Sequence, residues 1–159
     1  MRFVKETVFP ATRAEVFAFH ERPDAFALLQ PPWETVEISQ PPSGLEVGTR
    51  VTLRTKIGPL WIPIVAEHVA YEPGVSFEDV MHEGPFAAWH HKHLFFDDPG
   101  GCRLRDEIEY TPPFGWLGRL VDPIAVRPKL RKLFDYRHDV TLREVLAARE
   151  SGGPCIAAG

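Results

Sequence analysis

With 159 residues, 44% of them apolar and 25% charged, the chain has the size and composition of one ordinary globular domain. Disorder is not expected, and no apolar run approaches the roughly 18 residues that a membrane-spanning helix needs. The formal net charge of -4 gives no general attraction to phosphates, so nucleic acid is not an expected partner.

The first six residues, Met1-Arg2-Phe3-Val4-Lys5-Glu6, alternate polar with apolar and lack the apolar block of a signal peptide. A soluble, cytoplasmic protein is the expectation, with no integral membrane segment. Residues 2–9 read as a strand stopped by Pro10. Thr12 followed by Glu15 makes a capping box that opens a short helix through Val16, Phe17 and Phe19. A second short helix is predicted from Pro23 to about Leu29, since proline is tolerated in a first helical turn.

Beyond Glu34 the pattern changes to strands divided by turn residues. The predicted strands are 35–39, 48–57, 60–71, 75–82, 86–96 and 102–111, with Ser43-Gly44, Gly58-Pro59, Pro73-Gly74, Gly84-Pro85 and Pro99-Gly100-Gly101 between them. Strands joined by turns this short pair antiparallel. The last strand is the clearest, because Leu104, Ile108 and Tyr110 alternate with Arg103, Arg105, Glu107 and Glu109. After Pro112-Pro113 an apolar stripe of helical period runs to about Glu150. Pro123 and Pro128 interrupt it, which predicts a short helix or kinked turn followed by a long helix from about Pro128. One domain, 1–150, is expected, with a flexible tail over 151–159. The two cysteines, Cys102 and Cys155, read as free thiols.

This order of elements describes an α+β helix-grip fold, in which a curved antiparallel sheet wraps a long C-terminal helix and two short helices follow the first strand. A helix of about 20 residues spans about 30 Å, enough to cross such a sheet. The gap beneath it is a common place for a ligand.

Several motifs carry a resemblance: Glu15-Val16-Phe17-Ala18-Phe19-His20; Phe77-Glu78-Asp79; Gly84-Pro85-Phe86 followed by Trp89, His91, His93 and Phe95; Asp106 with Tyr110 and Pro112; and Leu133-Phe134-Asp135-Tyr136-Arg137. Together they resemble the START/Bet v 1-like (SRPBCC) superfamily, in particular its bacterial ligand-binding and polyketide cyclase/dehydratase-like members, over Phe3 to about Leu146. The resemblance implies the helix-grip fold and an internal ligand. It does not choose among lipid carriers, receptors and cyclases, because fold does not fix function.

The ligand-facing set is expected to be Trp61, Phe77, Asp79, Trp89, His91, His93, Phe95, Asp106, Tyr110 and Phe134. Trp89, His91, His93 and Phe95 share one strand face by period two. Asp106 falls among the apolar residues of its strand, where a carboxylate is costly unless paired; Asp79 alternates in the same way. Either these two join the histidines in a polar network, or a bend takes them to water. His-x-His on a strand also presents two nitrogens to one metal, but spacing fixes no third ligand among Glu67, His68, Asp79 and Asp106. No metal, cofactor or catalytic residue is therefore assigned.

Phe114, Gly115, Trp116 and Leu117 are expected to pack as a hinge, with capping of the cavity or membrane contact as alternatives. The basic residues from Arg127 to Arg143 are expected to form a solvated helix face. The expected role is binding or transport of a small hydrophobic molecule such as a lipid, polyketide or aromatic metabolite. Two alternatives stand beside it: a cyclase or dehydratase in which His91 or His93 is the base and Asp106 orients it, and an interaction module with a filled core. A homodimer is compatible with all three.

Overall fold

The computed structural model of the protein describes residues 1–152; most of the predicted tail, with Cys155, lies outside the described residues. The elements are β1 (Arg2–Phe9), α1 (Arg13–Glu21), α2 (Ala25–Leu28), β2 (Val36–Gln40), β3 (Arg50–Ile57), β4 (Leu60–Glu72), β5 (Ser76–Glu83), β6 (Ala88–Asp98), β7 (Gly101–Thr111) and α3 (Gly115–Glu150). The strands form one antiparallel sheet in the order β1-β7-β6-β5-β4-β3-β2. It is a meander except that β1 returns to pair with β7. Register shifts in β4, beside Val65 and between His68 and Ala70, bend the sheet, as bulges do.

The start of α1 is the predicted capping box. The Glu15 amide donates to Thr12 Oγ1 and the Thr12 amide donates to the Glu15 carboxylate at 2.7 Å. Two buried clusters hold the layers together. Phe17 of α1 meets Phe95 of β6 edge-on at 4.9 Å between ring centroids, with Phe9, Leu104 and Val145 around them. Phe3, Ile108, Tyr110, Leu130 and Phe134 form the second cluster, between β1, β7 and the middle of α3. The helix thus lies over the β1–β7 side, leaving a space between it and β2–β6.

The break predicted near Pro128 is not present, because α3 is one helix of 36 residues with Pro123 and Pro128 inside it, about 54 Å long. A proline inside a helix leaves the carbonyl four residues earlier without its donor. Those residues, Arg119 and Ile124, are exposed, so water can serve the freed groups. The helix starts immediately after Pro112-Pro113 because residue 118 is glycine: a Cβ there would lie 1.9 Å from the Pro113 carbonyl oxygen. The expected packing of the 114–117 segment is also overturned. Phe114 is 84% and Trp116 77% exposed, and the apolar face continues uncovered through Leu117, Leu120 and Ile124. Among the described residues nothing covers them. Among the described residues no helix is long and apolar enough to cross a membrane.

Candidate functional site

Between the sheet and α3 lies a cavity of about 840 Å³. The inner faces of β3 and β4 supply Val51, Leu53, Ile64, Ala66 and His68, those of β5 and β6 supply Phe77, Asp79, Trp89, His91 and His93, and α3 supplies Leu130, Leu133 and Arg137. The lining continues to the exposed turn at Lys56–Gly58.

Antiparallel register assembles the polar part of this wall. Asp79 on β5 stands opposite His91 on β6, and His93 on β6 stands opposite Asp106 on β7. His91 lies between the two carboxylates, its Nε2 2.9 Å from Asp106 Oδ1 and its Nδ1 3.3 Å from Asp79 Oδ2. His93 Nδ1 is 2.8 Å from the same Asp106 oxygen, off the direction of a formed hydrogen bond, and its Nε2 is 3.6 Å from Asp79 Oδ2. Its ring stacks on Phe77 at 4.0 Å. The other Asp106 oxygen is met from α3, where His138 Nε2–H donates to Oδ2 at 2.6 Å while the Thr7 hydroxyl of β1, 2.7 Å away, occupies His138 Nδ1. A carboxylate can only accept, which sets this direction of donation.

The charges follow from that packing. Burial opposes charge on His91, but the Asp79 and Asp106 carboxylates outweigh it and hold the imidazole up at about 9. Burial likewise raises Asp79 and Asp106, and the surrounding imidazoles reverse the direction, leaving both well below the usual carboxylate range. His20, at the end of α1, has no such partner. Burial drives it down to about 4, with His93 repelling its charge, while its Nδ1 holds the Val16 carbonyl at 2.8 Å. Burial also lowers His68 and Arg137.

The ten residues expected to face a ligand divide into three groups. Phe77, Asp79, Trp89, His91 and His93 line the cavity. Phe95, Asp106, Tyr110 and Phe134 are buried behind that wall: Asp106 holds the histidines, Phe134 meets the His91 ring edge-on at 5.2 Å, and the Tyr110 hydroxyl donates to Asp122 at 2.6 Å. Trp61 is corrected outright. It points to the convex face, 37% exposed, with the Arg54 guanidinium 4.6 Å from its ring centroid.

Both carboxylates turn inward; neither reaches a bend in water. His68, one of the four residues weighed as a third metal ligand, does line the cavity beside Asp79, whereas His138, Thr7 and Arg137 carry no sequence expectation of joining the cluster, Arg137 being expected on the solvated helix face. For His138 a signal exists: Leu130, Phe134, His138, Thr141 and Val145 are the buried stripe of α3, so one imidazole stands in an apolar face at helical spacing.

No family model and no curated protein sequence matches the chain. Solved structures do. The protein TTHA0849 from Thermus thermophilus is similar with a TM-score of 0.72 and 16% identity over 93% of this chain and 99% of that one. Ara h 8.0201 is similar with a TM-score of 0.68 and 15% identity, over 92% and 98%. A nucleoside-diphosphate sugar epimerase from Corynebacterium glutamicum matches 94% of this chain with 30% of its own length, at a TM-score of 0.69 and 21% identity. At these identities the likeness is one of fold. A seven-stranded curved sheet with two short helices after its first strand and one long helix laid across it, matched over 92–94% of this chain by these structures, is the Bet v 1-like helix-grip fold.

Proposed function

We propose that the protein binds a small, mainly apolar molecule with one polar end, the apolar part in the space between sheet and helix and the polar end against the histidine–carboxylate wall. The observation that carries this reading is the cavity itself. Its 840 Å³ fall within the roughly 300–1,000 Å³ of ordinary ligand pockets. An interaction module with a filled core would have no such space. Leu53, Ile64, Trp89 and Leu133 offer apolar contact, while Asp79, His91, His93 and Arg137 offer charge and hydrogen bonds. A lipid, a polyketide and an aromatic metabolite all have this division.

The test is saturable binding of a hydrophobic fluorescent probe, with one site per chain and displacement by fatty or aromatic acids. Ala66→Trp, which adds bulk into the cavity, is expected to weaken the probe at least about tenfold, equivalent to about 1.4 kcal/mol, with the thermal transition retained. Probe binding that Ala66→Trp leaves unchanged would remove the cavity from the reading.

A second reading, catalysis of a cyclase or dehydratase kind, rests on the contact of His91 and His93 with Asp106 beside the same space. Its mark is turnover of a bound molecule that is lost in His93→Ala while probe binding persists.

A further inference from the structure

We propose that Asp79, His91 and His93 form a site for a divalent transition-metal ion of the zinc type, set in the wall of the cavity with its open coordination position facing the ligand space. Spacing along the chain gives only His91 and His93. The third ligand comes from register, because β5 places Asp79 directly across from His91.

The ligand atoms already converge. His91 Nδ1 and His93 Nε2 lie 3.3 and 3.6 Å from Asp79 Oδ2, and ligand atoms of the three residues all fall within 4.8 Å of one another. Two ligands bound to one tetrahedral zinc at 2.0–2.1 Å are separated by about 3.3 Å. The two edges therefore need at most a few tenths of an ångström of adjustment.

The atoms behind the ligands are arranged as a metal site requires. The remote nitrogens of both histidines lie beside the same Asp106 oxygen, His91 Nε2 hydrogen-bonded to it at 2.9 Å and His93 Nδ1 2.8 Å away without a formed hydrogen bond, and a metal-bound imidazole usually turns its other nitrogen to a carboxylate. His138 and Thr7 fix the second Asp106 oxygen, so the supporting group cannot swing away. Among the described residues the side chains within ion-pair distance of Asp79 and Asp106 are all histidines, the residue type a zinc-type ion takes as ligand, while Arg137, which lines the same cavity, acts on both carboxylates from farther away.

A separate observation concerns the open side. His68 stands across from Asp79 on β4 and lines the same cavity, 8% exposed, with a buried Nδ1 that has no hydrogen-bond partner. It leaves an unpartnered ring nitrogen on the cavity side of the strand next to Asp79. Three protein ligands plus one exchangeable position is the arrangement of catalytic zinc sites. The site is independent of what occupies the apolar part of the cavity, so it is tested with metal alone.

The full chain, stripped with chelator, is titrated with Co²⁺ and followed by visible ligand-field absorption, with Zn²⁺ added in competition. One equivalent of Co²⁺ with a tetrahedral nitrogen–oxygen spectrum, displaced by Zn²⁺, is expected. Asp79→Asn and His93→Ala should each weaken binding by at least about 100-fold and Asp106→Asn by about 10- to 100-fold, the range for supporting groups. His82→Ala and His90→Ala, whose side chains pair with Glu67 and Glu78, should bind as the wild type does. Circular dichroism checks each fold, and His93→Gln replaces the alanine variant if that variant does not fold. Absence of a ligand-field band in the wild type overturns the site. So does a band that survives substitution of His93, or a thiolate charge-transfer band that assigns the metal to a cysteine.

Discussion

Asp106 is the residue on which the polar interior depends. It is 3% exposed and contacts His91, His93 and His138 from three directions. Asp106→Asn keeps the shape, removes the charge and puts an NH2 donor where an acceptor is needed. Breaking a buried pair from one side typically costs about 3–5 kcal/mol, and denaturant unfolding of chelator-treated protein should show a loss of that order. A loss below about 0.5 kcal/mol, the size of an exposed substitution, would contradict the network. A thermodynamic cycle with His138→Ala measures the coupling directly.

His20 sets the acid side of the stability curve. Its folded value of about 4 lies below the unfolded value near 6.5. The unfolded chain therefore takes up its proton first, and stability falls as pH drops from about 6.5 to about 4, by on the order of 3 kcal/mol. His68, also lowered, acts in the same direction. His91 does not compensate in this window: a raised imidazole contributes fully below 6.5 and loses its contribution only as pH rises through about 9. The lowered carboxylates Asp79 and Asp106 lose theirs only as pH falls through and below the ordinary carboxylate value. Urea unfolding of wild type and His20→Phe between pH 4 and 7, with chelator present, should show a shallower acid limb in the variant. Parallel limbs would refute the assignment.

At the scale of elements, the position of α3 rests on a contact behind the cavity wall, on the same strand β7 as Asp106. Asp122 is fully buried, accepts the Tyr110 hydroxyl at 2.6 Å and pairs with Arg127 at 3.1 Å; Arg127 in turn donates to the Arg2 carbonyl. This joins the proline-containing half of the helix to β7 and β1. Tyr110→Phe leaves the carboxylate one donor short and should cost about 1–3 kcal/mol. It should also raise amide hydrogen exchange in α3 around residues 118–128 more than in β5 or β6; uniform exchange would deny the joint this role.

What the sequence revealed about each element depended on how clean its pattern was. The alternation of Leu104, Ile108 and Tyr110 gave β7 its inward face, and the Thr12–Glu15 pair gave α1 its start. The stretch Leu60-Trp61-Ile62-Pro63-Ile64-Val65 is apolar at almost every position, so its pattern does not fix which way it faces, and Trp61, expected at the ligand, lies on the other side. Pro123 and Pro128 carried a strong breaker signal that the exposure of Arg119 and Ile124 neutralised. Asp79 could be seen to alternate inward, but its place opposite His91 depends on the register of the β5–β6 hairpin. His138 reaches Asp106 only through the tertiary placement of α3.

At the scale of the molecule, the first and last elements are neighbours. Thr7 of β1 and His138 of α3 are 131 positions apart, and both support Asp106 on β7. Chains dominated by such distant contacts fold slowly, because long loops must close before any contact rewards them. During synthesis β1 emerges first and then waits for β7, made about a hundred residues later, before it has a partner. Until α3 follows, the concave face with its histidines and carboxylates has no cover. The cavity is therefore completed late, once α3 has been made and meets β1 and β7 across the sheet.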